Sequence, residues 1–267
     1  MFASGGPTRL LIAGALVTVG VAGLAAAAAV ALVAVASGLG WLGVPVEALA
    51  LKSMLSLRGL ARSALAIGDD LERADLTAAR AALGRDLVSR PTAALDAGQV
   101  ASAAVESVAE NLTDAFLAPV LFFLVFGLPG AVAYRVVNTA DAMIGYREGV
   151  LLHFGRLAAR LDDLLNVVPA RLAALALALA APLAGADGRR AFATMRRDHG
   201  LTASPNAGWT MAAMAGALGV ALTKPGAYRL GAGRVPTSAD VARSVHVMAI
   251  AAALALPVIV AISLAVR

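Results

Sequence analysis

The sequence predicts an all-α, polytopic integral membrane protein, with a polar helical excursion set between its membrane segments. Three observations predict it. Of 267 residues, 60% are hydrophobic and only 15% are charged, whereas soluble domains are nearer half apolar and about a quarter charged. Two apolar runs, Leu10 to Ala36 and Val245 to Val266, are each long enough to cross a bilayer. Between them the chain switches repeatedly from apolar stretches to short polar clusters, and mean hydropathy stays at +0.81. Aromatic residues make up 4%, so the apolar mass is Ala, Leu, Val and Gly, which allow close helix approach in lipid.

Leu10 to Ala36 exceeds the apolar region of about 7–15 residues in a secretory signal and reads as a membrane anchor. Leu42 to Leu57, broken by Pro45, Glu47 and Lys52, is expected to be a short or interfacial helix. From residue 58 to 99 charges of both signs alternate, which marks the excursion within a single domain of residues 1–267. Asp75 is placed to cap a helix and Gly84 to stop it; Pro91 is a break and Asp96 a further cap. Phe116 to Val137 is apolar but carries Pro119, Gly127, Pro129 and Gly130, the composition of a broken helix. Leu172 to Leu183 and Thr210 to Leu222 are short apolar segments, and Lys224 to Gly233 is a Gly-rich turn region. Val245 to Val266 is the last span, kinked at Pro257.

Composition excludes several classes. There is no cysteine, so disulfides, CxxC chemistry and thiolate metal sites are ruled out. His153, His199 and His246 include no pair with zincin spacing. No nucleic-acid motif or aromatic platform occurs, and the net charge of +5 fits anionic lipid or an anionic substrate. No P-loop and no internal repeat is present. Basic segments recur too often for strict alternation of sides, so some apolar segments are expected to pair as hairpins or re-entrant elements.

The polar clusters carry the chemistry. In Ala103 to Pro119, Glu106, Glu110 and Asp114 recur every fourth residue, which a helix places on one stripe. Ser107, Asn111 and Thr113 widen it. Like charges at this spacing cost a helix roughly 0.2–0.5 kcal/mol per pair, so a divalent cation or cationic substrate is a natural partner, with a solvated helix face as the alternative. Asn138 and Asp141 lie one turn apart. Arg156, Arg160 and Asp163 share a face, and Asp162 reaches Asn166; plain helix ion pairs are the alternative. Ser204 and Asn206 precede an apolar helix whose first N–H groups are placed to meet an anion.

Taken in order, these clusters resemble the adenosylcobinamide-phosphate synthase family of cobalamin biosynthesis. The matching residues are Ala104 to Asn111 with Asp114 and Pro119; Asn138, Thr139, Asp141, Met143, Gly145 and Tyr146; Arg160 to Asp163 with Asn166, Pro169, Ala170 and Arg171; and Ser204 to Trp209 with Met214 to Ala217. The likeness runs from about Leu51 to Gly231. Two departures stand out: the family's opening Gly-Asp-Pro and His-Pro-Val motifs have no counterpart before Leu10, and Arg90-Pro91-Thr92 stands where the family tends to carry Arg-Asp-Thr. The chain is therefore expected to start after the family's first segment.

The resemblance implies an ATP-dependent amide ligase of the cell membrane. It would join the amine of aminopropanol, or of its phosphate, to the free propionate of adenosylcobyric acid, with ATP and Mg²⁺ as cofactors. Other late cobalamin enzymes are candidate partners, beside membrane lipid. Glu106, Glu110 and Asp163 are the candidate catalytic residues, and Glu106, Glu110, Asp114 and Asp162 the candidate Mg²⁺ ligands. Arg156, Arg160 and Arg171 are candidates for phosphate; Asn111, Asn138 and Asn206 for corrin amides; Asp141, Asn166 and Ser204 complete the substrate set. Glu110, Asp163 and Asn206 are expected to line one water-open cavity on the cytoplasmic side. A transporter-like or sensor relative, and a non-catalytic membrane scaffold, are the competing readings.

Overall fold

The computed structural model describes the backbone of residues 6–266 and the side chains of residues 6–257. The described chain is almost entirely helical. It forms two compact units, each built from two stretches of sequence: Met1–Leu55 with Ala118–Asn166, and Ser56–Leu117 with Val167–Arg267. Three helical runs, Pro7–Gly38, Ala97–Ile144 and Ser238–Pro257, are long and apolar enough to cross a membrane. The count is four if the bent pair Arg156–Leu165 and Val167–Ala180 is a single span. The protein is thus an all-α polytopic membrane protein.

In the first unit, α1 (Pro7–Gly38) starts on a proline, whose missing N–H costs nothing at a first helical position. Leu16, Leu24 and Val35 stand exposed along it, as a lipid-facing helix requires. The short helices α2 (Gly43–Met54) and α7 (Leu151–Phe154) and the longer α6 (Ala118–Ile144) all pack against α1. The approach of α7 is close: a side chain on Gly14 would run into the carbonyl of Phe154. α6 is broken at Gly127, where φ is +68° and ψ −167°, a conformation essentially restricted to glycine. α8 (Arg156–Leu165) lies against α6 and closes the unit.

The second unit contains α3 (Leu57–Glu72), α4 (Leu76–Asp86), α5 (Ala97–Leu112), α9 (Val167–Ala180), α10 (Gly188–Asp198), α11 (Ala207–Leu218) and α12 (Ser238–Val266). Its core is α5 and α11, buried almost continuously from Val100 to Ala109 and from Thr210 to Leu218. Small residues permit this: Gly216 of α11 sits directly on the backbone of Arg190 and Ala191 in α10. The Gly-rich stretch expected as a turn is a small antiparallel hairpin of β1 (Leu222–Lys224) and β2 (Tyr228–Leu230), pairing Leu222 with Leu230 and Lys224 with Tyr228. Asp240 in the first turn of α12 is fully buried. It gathers the preceding segment by accepting from Arg234 Nη1 and Nη2 at 2.6 and 2.8 Å and from the Thr237 N–H at 2.8 Å.

The stretch 58–99 supplies α3, α4 and the start of α5. Asp75 caps α4, accepting from the Ala78 N–H at 2.9 Å. Asp96 and Gln99 form a reciprocal capping box on α5. Gly84 does not stop α4, which runs on to Asp86. Its missing side chain instead makes room for Thr92, whose Oγ1 would lie 3.0 Å from an added Cβ and which donates to the Arg80 carbonyl at 2.8 Å.

Candidate functional site

In the second unit the site is built around Glu106. Burying a carboxylate is costly unless it is paired, and this one is buried on α5 and supplied with donors. Ser102 Oγ, one turn earlier, donates to Oε1 at 2.8 Å. Tyr228 OH, on β2, donates to Oε2 at 2.9 Å. Arg90 Nη2 stands 3.8 Å from Oε2. The hairpin is held in place because the Thr223 N–H of β1 donates to Ser102 Oγ at 2.7 Å. Burial pushes the Tyr228 hydroxyl above its ordinary value, and the neighbouring Glu106 carboxylate adds to the shift. Tyr228 is therefore a proton-bearing donor across the neutral range.

Beyond Glu106, the stripe is less regular than a simple α-helix makes it. α5 ends at Leu112, and Thr113–Leu117 form a π-turn, a rare wide turn frequently found at functional sites. Asp114 sits in that turn, so its phase relative to Glu110 is not that of an unbroken α-helix. Glu110 and Asp114 are both half-buried. Asn111 Nδ2 donates to the Ser107 carbonyl at 2.9 Å, a bond within its own helix.

The Ser-Pro-Asn-Ala-Gly-Trp cluster forms a second focus in this unit. Ser204 Oγ accepts from the N–H groups of Asn206 and Ala207 at 3.2 and 3.5 Å. This hydroxyl thus meets the cap amide of Asn206 and the first amide of α11, that of Ala207. Gly208 lies against the His199 carbonyl, where a side chain would collide. Arg171 of α9 donates to the Val167 carbonyl at 2.6 Å and to Asn206 Oδ1 at 3.0 Å, and lies 4.8 Å over the Trp209 ring. On Trp209 the His199 ring packs at 4.0 Å.

The first unit holds a separate network. Asp162 of α8 accepts from Asn138 Nδ2 on Oδ1 at 3.0 Å and from Asn166 Nδ2 on Oδ2 at 3.1 Å. Asn166, itself buried, accepts from Tyr134 OH at 2.9 Å. Asn138 Oδ1 accepts from Arg135 Nη1 at 3.2 Å. Asp141 lies within electrostatic reach of Asp162 and Asp163. Arg156, Arg160 and Asp163, one face of α8, line a cavity of about 370 Å³ with Arg147, His153 and Tyr146.

These arrangements bear on a metal. Both oxygens of Glu106 and both of Asp162 already carry a protein donor. Among the described residues no group of three or more His, Asp or Glu side chains is poised to hold a metal ion. The residues do not make an all-protein cage.

Sequence reasoning missed Ser102, Arg90 and Tyr228 around Glu106, and Arg147 and His153 at the cavity. Ser102 was open to discovery, because it precedes Glu106 by four residues on the same helix. Tyr228 carried no signal, lying 122 residues from its partner.

Comparison with known proteins follows the same lines. The model of the CobD/Cbib protein family matches residues 3–257. Among similar proteins, the cobalamin biosynthesis protein CobD of Dehalococcoides mccartyi is 54% identical over 145 residues, which is 54% of this chain and 47% of that protein. The probable cobalamin biosynthesis protein CobD of Methanothermobacter thermautotrophicus is 50% identical over 145 residues, covering 54% and 49%. The cobalamin biosynthesis protein CobD of Geobacter metallireducens is 51% identical over 142 residues, covering 53% and 45%. The chain spans about half the length of the curated relatives it matches. No solved structure matches. With the family model matching nearly its whole length, the chain belongs to the CobD/Cbib protein family.

Proposed function

We propose that the protein is a cell-membrane enzyme of cobalamin biosynthesis, an amide ligase that joins the amine of aminopropanol phosphate to the free propionate of adenosylcobyric acid. Family membership supports the pathway. The observation that carries the enzymatic reading is Glu106, a buried carboxylate in an apolar helical run, held by Ser102, Tyr228 and Arg90. An ionisable group in such a helix marks a functional site by default.

A carboxylate is a poor acyl donor. In the proposed reaction a propionate oxygen attacks the γ-phosphorus of ATP and ADP leaves. The amine then attacks the acyl carbon, phosphate departs with one former carboxylate oxygen, and the nitrogen gives up one proton. Mg²⁺, when bound, neutralises charge on the phosphates. Such an ion is commonly held by one or two carboxylates plus substrate phosphates, a role that Glu110 and Asp114, four residues apart, would take. Glu106, fixed by two donors, would receive the proton from the attacking amine. In the other unit, Asp163 beside Arg156 and Arg160 is a candidate contact for a charged group.

The test is turnover by the full-length protein in lipid nanodiscs with adenosylcobyric acid, aminopropanol phosphate, ATP and Mg²⁺, with the amide read by mass spectrometry. Product that disappears in Glu106→Gln supports the ligase. Binding of adenosylcobyric acid with no amide formed would favour a scaffold.

A further inference from the structure

We infer that the cavity of the first unit is a binding site for the phosphate group of a small soluble ligand. Its wall carries Arg147, Arg156, Arg160 and His153 against a single carboxylate, Asp163. Among the described residues, Arg147, Arg156 and Arg160 make no ion pair. Three guanidinium groups against one carboxylate leave net positive charge in the cavity, which an anion relieves. Guanidinium matches phosphate in bidentate geometry.

The arginines are exposed, and the backbone that carries them is fixed. Arg156 and Arg160 stand one turn apart on α8, so their side chains project together. The loop that brings Arg147 is pinned: the Gly145 N–H donates to the Asp141 carbonyl at 2.7 Å, and Tyr146 OH donates to the Ala142 carbonyl at 3.1 Å. At the other side Gly155 is pressed on the Ile144 carbonyl, with no room for a side chain. Gly155 also caps α8 without a side-chain acceptor, so the positive end of that ten-residue helix adds to the field.

Size restricts the occupant. A volume near 370 Å³ is at the low end of the roughly 300–1,000 Å³ range of small-molecule sites. It suits a small phosphate ester or the end of a polyphosphate. The inference rests on the ligase reading for which physiological ligand arrives there, though binding of phosphate itself does not. A lipid headgroup presents the same phosphate chemistry, and the test separates the two sources.

The experiment measures binding of radiolabelled inorganic phosphate to the full-length protein in phosphatidylcholine nanodiscs, by equilibrium dialysis. Saturable binding is expected, weakened by salt. Arg156→Ala and Arg160→Ala should each raise Kd about ten-fold or more, as loss of a charge-assisted bond implies. Arg160→Lys should fall between wild type and alanine, and Arg196→Ala, on α10, should match wild type. Unchanged thermal unfolding of the arginine variants shows that the fold is retained. Absence of saturable binding, or equal Kd in all variants, overturns the inference. Loss of phosphate binding when phosphatidylglycerol is added to the nanodiscs assigns the site to a lipid headgroup and overturns the soluble ligand. Amide formation without phosphate binding here would leave the ligase standing and this site rejected. Phosphate binding without amide formation would do the reverse.

Discussion

Replacing Tyr228 with phenylalanine tests the Glu106 network. The substitution deletes one hydroxyl and keeps the ring. That hydroxyl donates to Glu106 Oε2 at 2.9 Å, and the remaining cation, Arg90, is 3.8 Å away, too far for a direct hydrogen bond. A hydrogen bond to a charged acceptor contributes about 1.5–3 kcal/mol, so Tyr228→Phe should destabilise by about 2 kcal/mol. Ser102→Ala should cost more, about 2–4 kcal/mol, because it removes the donor to Oε1 and also orphans the Thr223 N–H that Ser102 Oγ accepts at 2.7 Å. Equilibrium unfolding in detergent micelles, followed by circular dichroism, reads both. A double-mutant cycle of Tyr228→Phe with Glu106→Gln should show coupling in the range of about 0.5–3 kcal/mol. Additivity within about 0.5 kcal/mol, with Ser102→Ala no worse than a surface change, would refute the network as the support of Glu106.

Further predictions address other elements. Gly127→Ala should destabilise by about 1–3 kcal/mol, read by the same unfolding assay, because the φ of +68° with ψ of −167° admits no side chain without strain. The Asp198 carboxyl is held below its ordinary range by hydrogen bonding to Arg197, with the Gly231 N–H contributing. A depressed acid stabilises the folded state above its unfolded value, near 3.9, and that stability is lost as pH falls through the lower folded value. Asp198→Asn should therefore flatten the acid limb of a stability–pH profile below about pH 4 and leave the alkaline limb unchanged. In a Trp41→Phe background, Arg171→Ala should change the emission of Trp209, since it removes the cation lying 4.8 Å over that ring.

The fold was largely readable because its strongest signals are local. The run from Leu10 to Ala36 is an apolar helix by composition alone, and Asp75 and Asp96 announce helix starts through a hydrogen bond spanning three residues. Gly84 misled for the same reason: a local rule makes glycine a stop, whereas here a contact with Thr92, eight residues on, decides its role. The π-turn at Thr113–Leu117 leaves no mark in composition, because it changes the hydrogen-bond register and not the residue types. The division into two units, each drawn from two stretches, depends on packing that sequence order hides. At the candidate site, Arg156, Arg160 and Asp163 could be grouped by helical spacing. Arg147 and His153 join them from a loop and a separate short helix, and no periodicity links those positions. Tyr228 reaches Glu106 only because the β1–β2 hairpin is tied to α5 through Ser102.

The proposal that the protein activates a propionate and converts it to an amide is tested most directly with adenosylcobyric acid labelled with oxygen-18 in that carboxylate. The full-length protein in nanodiscs is supplied with the labelled acid, aminopropanol phosphate, ATP and Mg²⁺, and both amide and released phosphate are analysed by mass spectrometry. The account predicts the amide, together with phosphate carrying one labelled oxygen from the carboxylate. Amide with unlabelled phosphate would contradict the activation step, and no amide at all would contradict the ligase.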